Sequence, residues 1–136
     1  MDRIVENIEE VVLAVEDQDK TVALFEELFG LDFNETWEVP VDNMKVRCAR
    51  VGDTEFHIVA STGPEGVIAK FIRDRGEGIH HIAFRVSNLD KTIAKLKEKG
   101  VKVIPQEPRA GRRAARYIFA HPKSVHGVLI ELIERK

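Results

Sequence analysis

The segment Gly78-Ile79-His80-His81-Ile82-Ala83-Phe84-Arg85-Val86 has a counterpart 71 residues earlier, Asn7-Ile8-Glu9-Glu10-Val11-Val12-Leu13-Ala14-Val15. At the same shift Asp19-Lys20-Thr21-Val22-Ala23 meets Asp90-Lys91-Thr92-Ile93-Ala94, which marks an internal repeat. A second pair of segments, Gly52-Asp53-Thr54-Glu55-Phe56-His57-Ile58-Val59 and His126-Gly127-Val128-Leu129-Ile130-Glu131-Leu132-Ile133, aligns at a shift of 74. The two halves must therefore be built alike. With 136 residues in all, they have room for one domain rather than two independent ones.

Each half reads as strand, helix and three strands. In the first, Glu9 to Val15 alternates as a strand, with Glu10, Val12 and Ala14 on one face and Val11, Leu13 and Val15 on the other. Asp17 or Asp19 caps the helix that follows, Val22, Phe25, Leu28 and Phe29 form its apolar stripe, and Gly30 stops it. Strands follow over 31–39, 44–51 and 54–60, joined through Pro40-Val41-Asp42-Asn43 and the Gly52-Asp53 turn. Ser61 to Gly66 is loop, and 67–72 is one or two helical turns bridging the modules. The second half gives a strand over 79–86, a helix over 90–99 stopped by Gly100, a strand over 101–104 and a basic loop. Strands over 116–120 and 128–133 complete it.

The expected class is α+β: one domain over 1–136, with module one at about 7–60, a bridge at 61–77 and module two at about 78–133. Each βαβββ unit leaves one sheet face uncovered by its own helix, so two copies curl into a half-open mixed barrel with helices outside. The inward face of such a barrel is a ligand cleft.

The repeat selects four residues for chemistry. Glu10 falls opposite His81 and His57 opposite Glu131, so each module carries one imidazole and one carboxylate, exchanged between the modules. Glu10 and Glu131 sit inside apolar runs, where an unpaired buried carboxylate costs several kcal/mol unless a cation or strong donors compensate it. A mixed nitrogen and oxygen donor set without thiolate suits a divalent ion such as Co2+, Mn2+, Ni2+, Zn2+ or Fe2+. His80 adjoins His81 but points to the other strand face, which makes it structural or a support behind the ligands, and His121 and His126 lie in turn-like sequence.

The balance of 21 basic and 23 acidic residues gives a formal charge of −2, with no call for nucleic acid or an anionic membrane. The single cysteine, Cys48, excludes an internal disulfide and fits a reducing compartment. No apolar run approaches the ~20 residues of a membrane span, and the first residues do not read as a secretory signal. A cytoplasmic location is expected. The Arg109-to-Arg116 stretch holds four arginines, ordinarily a solvated loop, yet able to clamp phosphates or a carboxylate.

Gly76-Glu77-Gly78-Ile79-His80-His81-Ile82-Ala83-Phe84, Ile68-Ala69-Lys70-Phe71, Glu107-Pro108-Arg109 and His121-Pro122-Lys123-Ser124 followed by Gly127-Val128-Leu129-Ile130-Glu131-Leu132 resemble signatures of the vicinal oxygen chelate superfamily. The methylmalonyl-CoA epimerases are its most similar branch. The resemblance implies a glyoxalase-like fold, a homodimer, and metal ligation by Glu10, His57, His81 and Glu131, the same set that the repeat selects. It also implies proton transfer on a 2-acyl-CoA thioester through a metal-stabilised enolate, with Glu131 as one acid/base.

Three departures from that pattern stand out. The family usually has His at the position of Glu10 and Gln or Glu at that of His57. Its second acidic residue falls on Val41, leaving Asp42 as the candidate if the strand shifts by one residue. Arginines replace the glycines usual in the later loop, and Arg112, Arg113 and Arg116, with Lys123, are the expected acyl-CoA-binding groups. The competing readings are a glyoxalase I-like isomerase, an iron-dependent dioxygenase using two His and one carboxylate, and a ligand-sequestering module without catalysis.

Overall fold

The computed structural model describes residues 3–135. The chain runs β1 (Val5–Ala14), α1 (Gln18–Phe29), β2 (Glu35–Val39), β3 (Met44–Val51), β4 (Thr54–Ser61), α2 (Val67–Arg75) and β5 (Gly78–Val86). It continues through α3 (Leu89–Glu98), β6 (Val103–Ala110), β7 (Arg116–Ala120) and β8 (Ile130–Glu134). Single 3-10 turns lie at Pro40–Asp42, Arg112–Ala114 and Pro122–Ser124. Strand, helix and three strands occur twice, as the repeat requires.

The helix starts show why the repeated five residues matter. At α1 the Asp17 side chain accepts from the Lys20 backbone N–H at 3.1 Å, and the Thr21 hydroxyl donates to the Asp17 carbonyl at 2.8 Å. At α3 the Asn88 side chain accepts from Lys91 N–H at 2.9 Å, and Thr92 donates to the Asn88 carbonyl at 2.8 Å. Both caps sit in extended backbone and satisfy an otherwise orphaned N–H. Asp17 is thus the first cap, and Asn88, one residue before Leu89, is the second. Gly30, in the left-handed region at φ 67, ends α1 by donating to the Glu26 carbonyl.

Contacts divide the chain inside β1 and at the start of β5, giving one compact unit over Glu10–His80 and another from the residues up to Glu9 with those from His81 onward. In the Glu10–His80 unit the strand order is β2-β3-β4-β1, antiparallel except for the parallel β4–β1 pair. Between one sheet face and α1 lie Val15, Ala49 and Ile58 with Val22 of the helix and Phe33 of the following segment. The opposite face carries Val12, Ala14, Val46 and Val59, closed in part by Ile68, Phe71 and Ile72 of α2. Each fully buried aliphatic side chain contributes about 2 kcal/mol. His80 belongs to this layer, its ring standing edge-on to Phe71 with centroids 5.0 Å apart.

In the other unit the order is the first half of β1, then β5-β8-β7-β6, with β5 and β8 parallel. Val86, Leu89, Ile93, Val103, Ile118 and Leu132 bury one face under α3. The other face holds Ala83, Ala115, Ile133 and Tyr117.

Several expected boundaries move. Leu28 and Phe29 do not join the core: they are 60% and 64% exposed, and Phe29 stands edge-on to Phe25 instead. Strand structure begins at Glu35 rather than residue 31, although Phe33 is buried in the α1 layer. The bridge is a nine-residue helix reaching Arg75 rather than one or two turns. The second module's basic loop is largely strand, since β6 runs to Ala110. Its pairing with β7 breaks between Ile104 and Arg109. Pro105 and Pro108 lack the N–H that a ladder needs, and this made the stretch look like loop in the sequence. The last strand begins at Ile130, after Gly127 in positive φ.

Candidate active site

Parallel pairing places the selected residues with the same geometry in both modules. His57 of β4 is in register with Val12 of β1, so Glu10 stands two residues, one pleat, before it on the same face. Glu131 of β8 is in register with Ala83 of β5, so His81 likewise stands two residues before it. In the Glu10–His80 unit the His57 Nδ1 to Glu10 Oε1 distance is 3.9 Å. In the other unit His81 Nε2 and Glu131 Oε1 are 3.0 Å apart, within hydrogen-bonding reach. All four residues are buried.

Burial has opposite effects on the two partners of the closer pair. It raises the Glu131 carboxyl to about 8, with Arg135 and Arg109 pulling it down and Glu9 adding to the rise. It lowers the His81 imidazole to about 4. Although the distance meets the criterion for an ion pair, desolvation favours both neutral forms. In the absence of a cation, burial thus favours a hydrogen bond between a carboxylic acid and a neutral imidazole over an ion pair. Phe119, in register with Glu131 on β7, turns its ring edge-on to His81 at 5.3 Å and contributes to this dry environment.

His57 has a different setting. Its Nε2 lies 2.8 Å from Glu55 Oε1, and its ring packs edge-on against Trp37 at 5.2 Å. Cys48 Sγ, 3.7 Å from the same oxygen, and Arg50 Nη2, 3.4 Å from Glu55 Oε2, complete the surroundings. Besides the two imidazole–carboxylate pairs, Cys48, Glu55 and His57 form a group with metal-ligand chemistry inside the Glu10–His80 unit, their donor atoms within 4.8 Å of one another.

The remaining expected site residues occupy four places. Asp42 is partly buried on the Pro40–Asp42 turn. Gly66 approaches it so closely that an added Cβ would come within 2.8 Å of the Asp42 carbonyl. Val41 beside it is 76% exposed. Arg112 and Arg113 lie on the turn after β6, with Arg113 at φ 55 and Arg135 Nη1 donating to the Arg112 carbonyl. Lys123 is exposed on the Pro122–Ser124 turn, its N–H donating to His121 Nδ1.

Arg116 does not join the Glu131 face. It is in register with Glu134 on the α3 side of the sheet, bound to Asp90 at 3.0 Å and Glu134 at 3.7 Å, and the Asp90 hydrogen bond and charge raise its pKa. Strand alternation decides this, since Glu131 and Glu134 are an odd number of residues apart.

Sequence reasoning missed Glu9, which is 5% exposed and bound by Arg85 at 3.2 Å and by the Arg135 guanidinium, and it missed the Glu55 cluster. Glu55 was detectable. Cys48 faces His57 and Arg50 faces Glu55 once the Gly52-Asp53 turn fixes the hairpin register.

The model of the glyoxalase/bleomycin resistance protein/dioxygenase superfamily matches residues 9–119, and the chain belongs to that superfamily. Its homologues include methylmalonyl-CoA epimerases. The mitochondrial enzyme of Homo sapiens is 30% identical over 123 residues, spanning 90% of this chain and 70% of that protein. The crystal structure of methylmalonyl-CoA epimerase from Mycobacterium tuberculosis matches with a TM-score of 0.92 and 30% identity, over 100% of this chain and 92% of that one. A variant of the Streptomyces coelicolor epimerase in complex with 2-nitronate-propionyl-CoA matches with a TM-score of 0.90 and 29% identity, over 96% and 95% of the chains. The expected glyoxalase-like fold is the fold of these enzymes. No helix among the described residues is long and apolar enough to cross a membrane.

Proposed function

We propose that the chain is a metal-dependent epimerase of a 2-acyl-CoA thioester of the methylmalonyl-CoA type, with Glu10, His57, His81 and Glu131 as the ligands. The observation that carries this reading is the matched imidazole–carboxylate pair in each module of a chain 30% identical to such epimerases. The donor chemistry fits a divalent ion. Glu131 is a carboxyl whose charge burial penalises and a cation would restore, and the neutral His81 imidazole has a lone pair to give. Co2+, Mn2+, Ni2+, Zn2+ and Fe2+ all suit two imidazoles with two carboxylates. When bound, such an ion supplies Lewis-acid stabilisation of negative charge developing on the substrate oxygens.

The protein's own part is proton handling and orientation. Inverting the carbon between a thioester and a carboxylate requires one group to remove the C2 proton and another to return a proton on the opposite face. Glu131 takes the first role through its carboxylate oxygen, and Asp42 the second. Arg112, Arg113 and Lys123 hold the anionic parts of the CoA ester, while Arg116, bound by Asp90 and Glu134, reaches the ester only by leaving those partners. The enzyme works in the cytoplasm, where Cys48, the one cysteine of the sequence, stays reduced. It forms a homodimer, for which the exposed Leu24, Leu28 and Phe29 of α1 offer apolar surface.

The test follows the C2 proton of methylmalonyl-CoA by NMR in deuterated buffer, with Co2+ or Mn2+ and with chelator. Metal-dependent exchange and loss of optical purity are expected. Inertness toward this substrate, with turnover of the methylglyoxal–glutathione hemithioacetal, would replace the reading by a glyoxalase-type isomerase.

A further inference from the structure

Glu55 is 1% exposed and two residues from His57 on the same face of β4. A buried carboxylate in a strand needs donors, and Arg50, Cys48 and His57 are among those that converge on it. Arg50 Nη2 approaches Oε2, while the Cys48 thiol and His57 Nε2 approach Oε1. Arginine can only donate, and a thiol beside a carboxylate oxygen donates as well. With Arg50 already beside this carboxylate, the cluster is a poor place for a second cation. Its chemistry is that of an acceptor, and the strongest remaining contact is the one at 2.8 Å to His57.

A neutral imidazole has one N–H and one lone pair, and whichever nitrogen donates decides which one remains to bind. We infer that Glu55 is a positioning residue: by accepting from His57 Nε2–H it fixes that tautomer and leaves the Nδ1 lone pair on the side of Glu10. Trp37, edge-on to the same ring, limits its rotation. The inference rests on the reading of His57 as a ligand for its purpose, but not for its geometry.

The tautomer can be read directly from long-range nitrogen–proton correlations in metal-free protein labelled at histidine. In the unmodified chain His57 is expected as the Nε2–H form, and an Nδ1–H form overturns the inference without any variant. Glu55→Leu should release the Nδ1–H form and weaken Co2+ binding by roughly ten- to hundredfold, the usual loss when the partner of a ligand is removed. Retention of the tautomer with unchanged Co2+ affinity overturns it.

If the leucine variant fails to fold, Glu55→Gln serves. Its amide must move the His57 Hε2 resonance, and an unmoved resonance overturns the assignment. His57→Ala separates the two layers: unchanged Co2+ affinity in that variant removes His57 from the ligand set, while the tautomer result stands on its own.

Discussion

The two modules share a register and differ in chemistry. In module two, imidazole and carboxylate meet at 3.0 Å with Phe119 against the ring, and burial keeps both neutral. In module one they stand 3.9 Å apart, and the imidazole's other nitrogen is held by Glu55. By the repeat, the position of Glu55 is taken in module two by Leu129, and that of Cys48 by Phe119. The same backbone therefore supplies one histidine fixed by a hydrogen-bonding carboxylate and another set by desolvation. Duplication preserved where the side chains point, while their surroundings diverged.

The sharpest way to break the comparison is Glu131→Gln. It removes a ligand and the proposed base together, so C2 proton exchange should fall by roughly 10³-fold, whereas Glu55→Gln should cost far less. Comparable losses in both, measured by NMR exchange, would erase the distinction between the modules.

A second test uses pH. Native Glu131, raised to about 8 from 4.5, keeps a proton that the unfolded chain has released, so stability falls as pH climbs from 4.5 toward 8. His81, lowered to about 4 from 6.5, acts oppositely and costs stability as pH drops from 6.5. The slopes cancel between 4.5 and 6.5. Metal-free protein should have a flat Tm over that window and lose at most about 1.4 kcal/mol per pH unit above it. Co2+ should remove the upper decline, and a metal-free Tm that rises from pH 6.5 to 8 would contradict the assignment.

Phe119→Ala, which opens the His81 side, should cost about 2 kcal/mol by chemical denaturation, less than a fully buried phenylalanine would because its ring is half-buried. The helix caps offer a control in which the modules should agree. Asp17→Ala and Asn88→Ala should each cost about 1 kcal/mol, because the two caps make the same bonds. Smallest of all, Arg116→Ala should leave KM for the CoA ester within about twofold, since its partners, exposed Asp90 and half-buried Glu134, lie on the α3 side. A large rise in KM would return Arg116 to the substrate.

Much of this was legible in the sequence where periodicity carried it. The repeat gave the element order, and strand alternation separated His80 from His81. Glu10, His57, His81 and Glu131 could be selected because repeat shift and strand period both act along the chain. What could not be read depended on contacts across it. The helix expected from Asp90 begins one residue earlier, at Leu89 with Asn88 as its cap, and β6 is obscured by prolines that interrupt its ladder. Arg116 was grouped with its neighbours by composition, although the pleat sends it to the opposite face.

The neutral carboxyl of Glu131 has a further consequence for an experimenter who loads the protein. Below pH 8 each ion captured must expel that hydrogen, so a weakly buffered sample should acidify in step with the titrant. Apparent affinity should then climb about tenfold for every unit of alkalinity until the carboxyl is already bare.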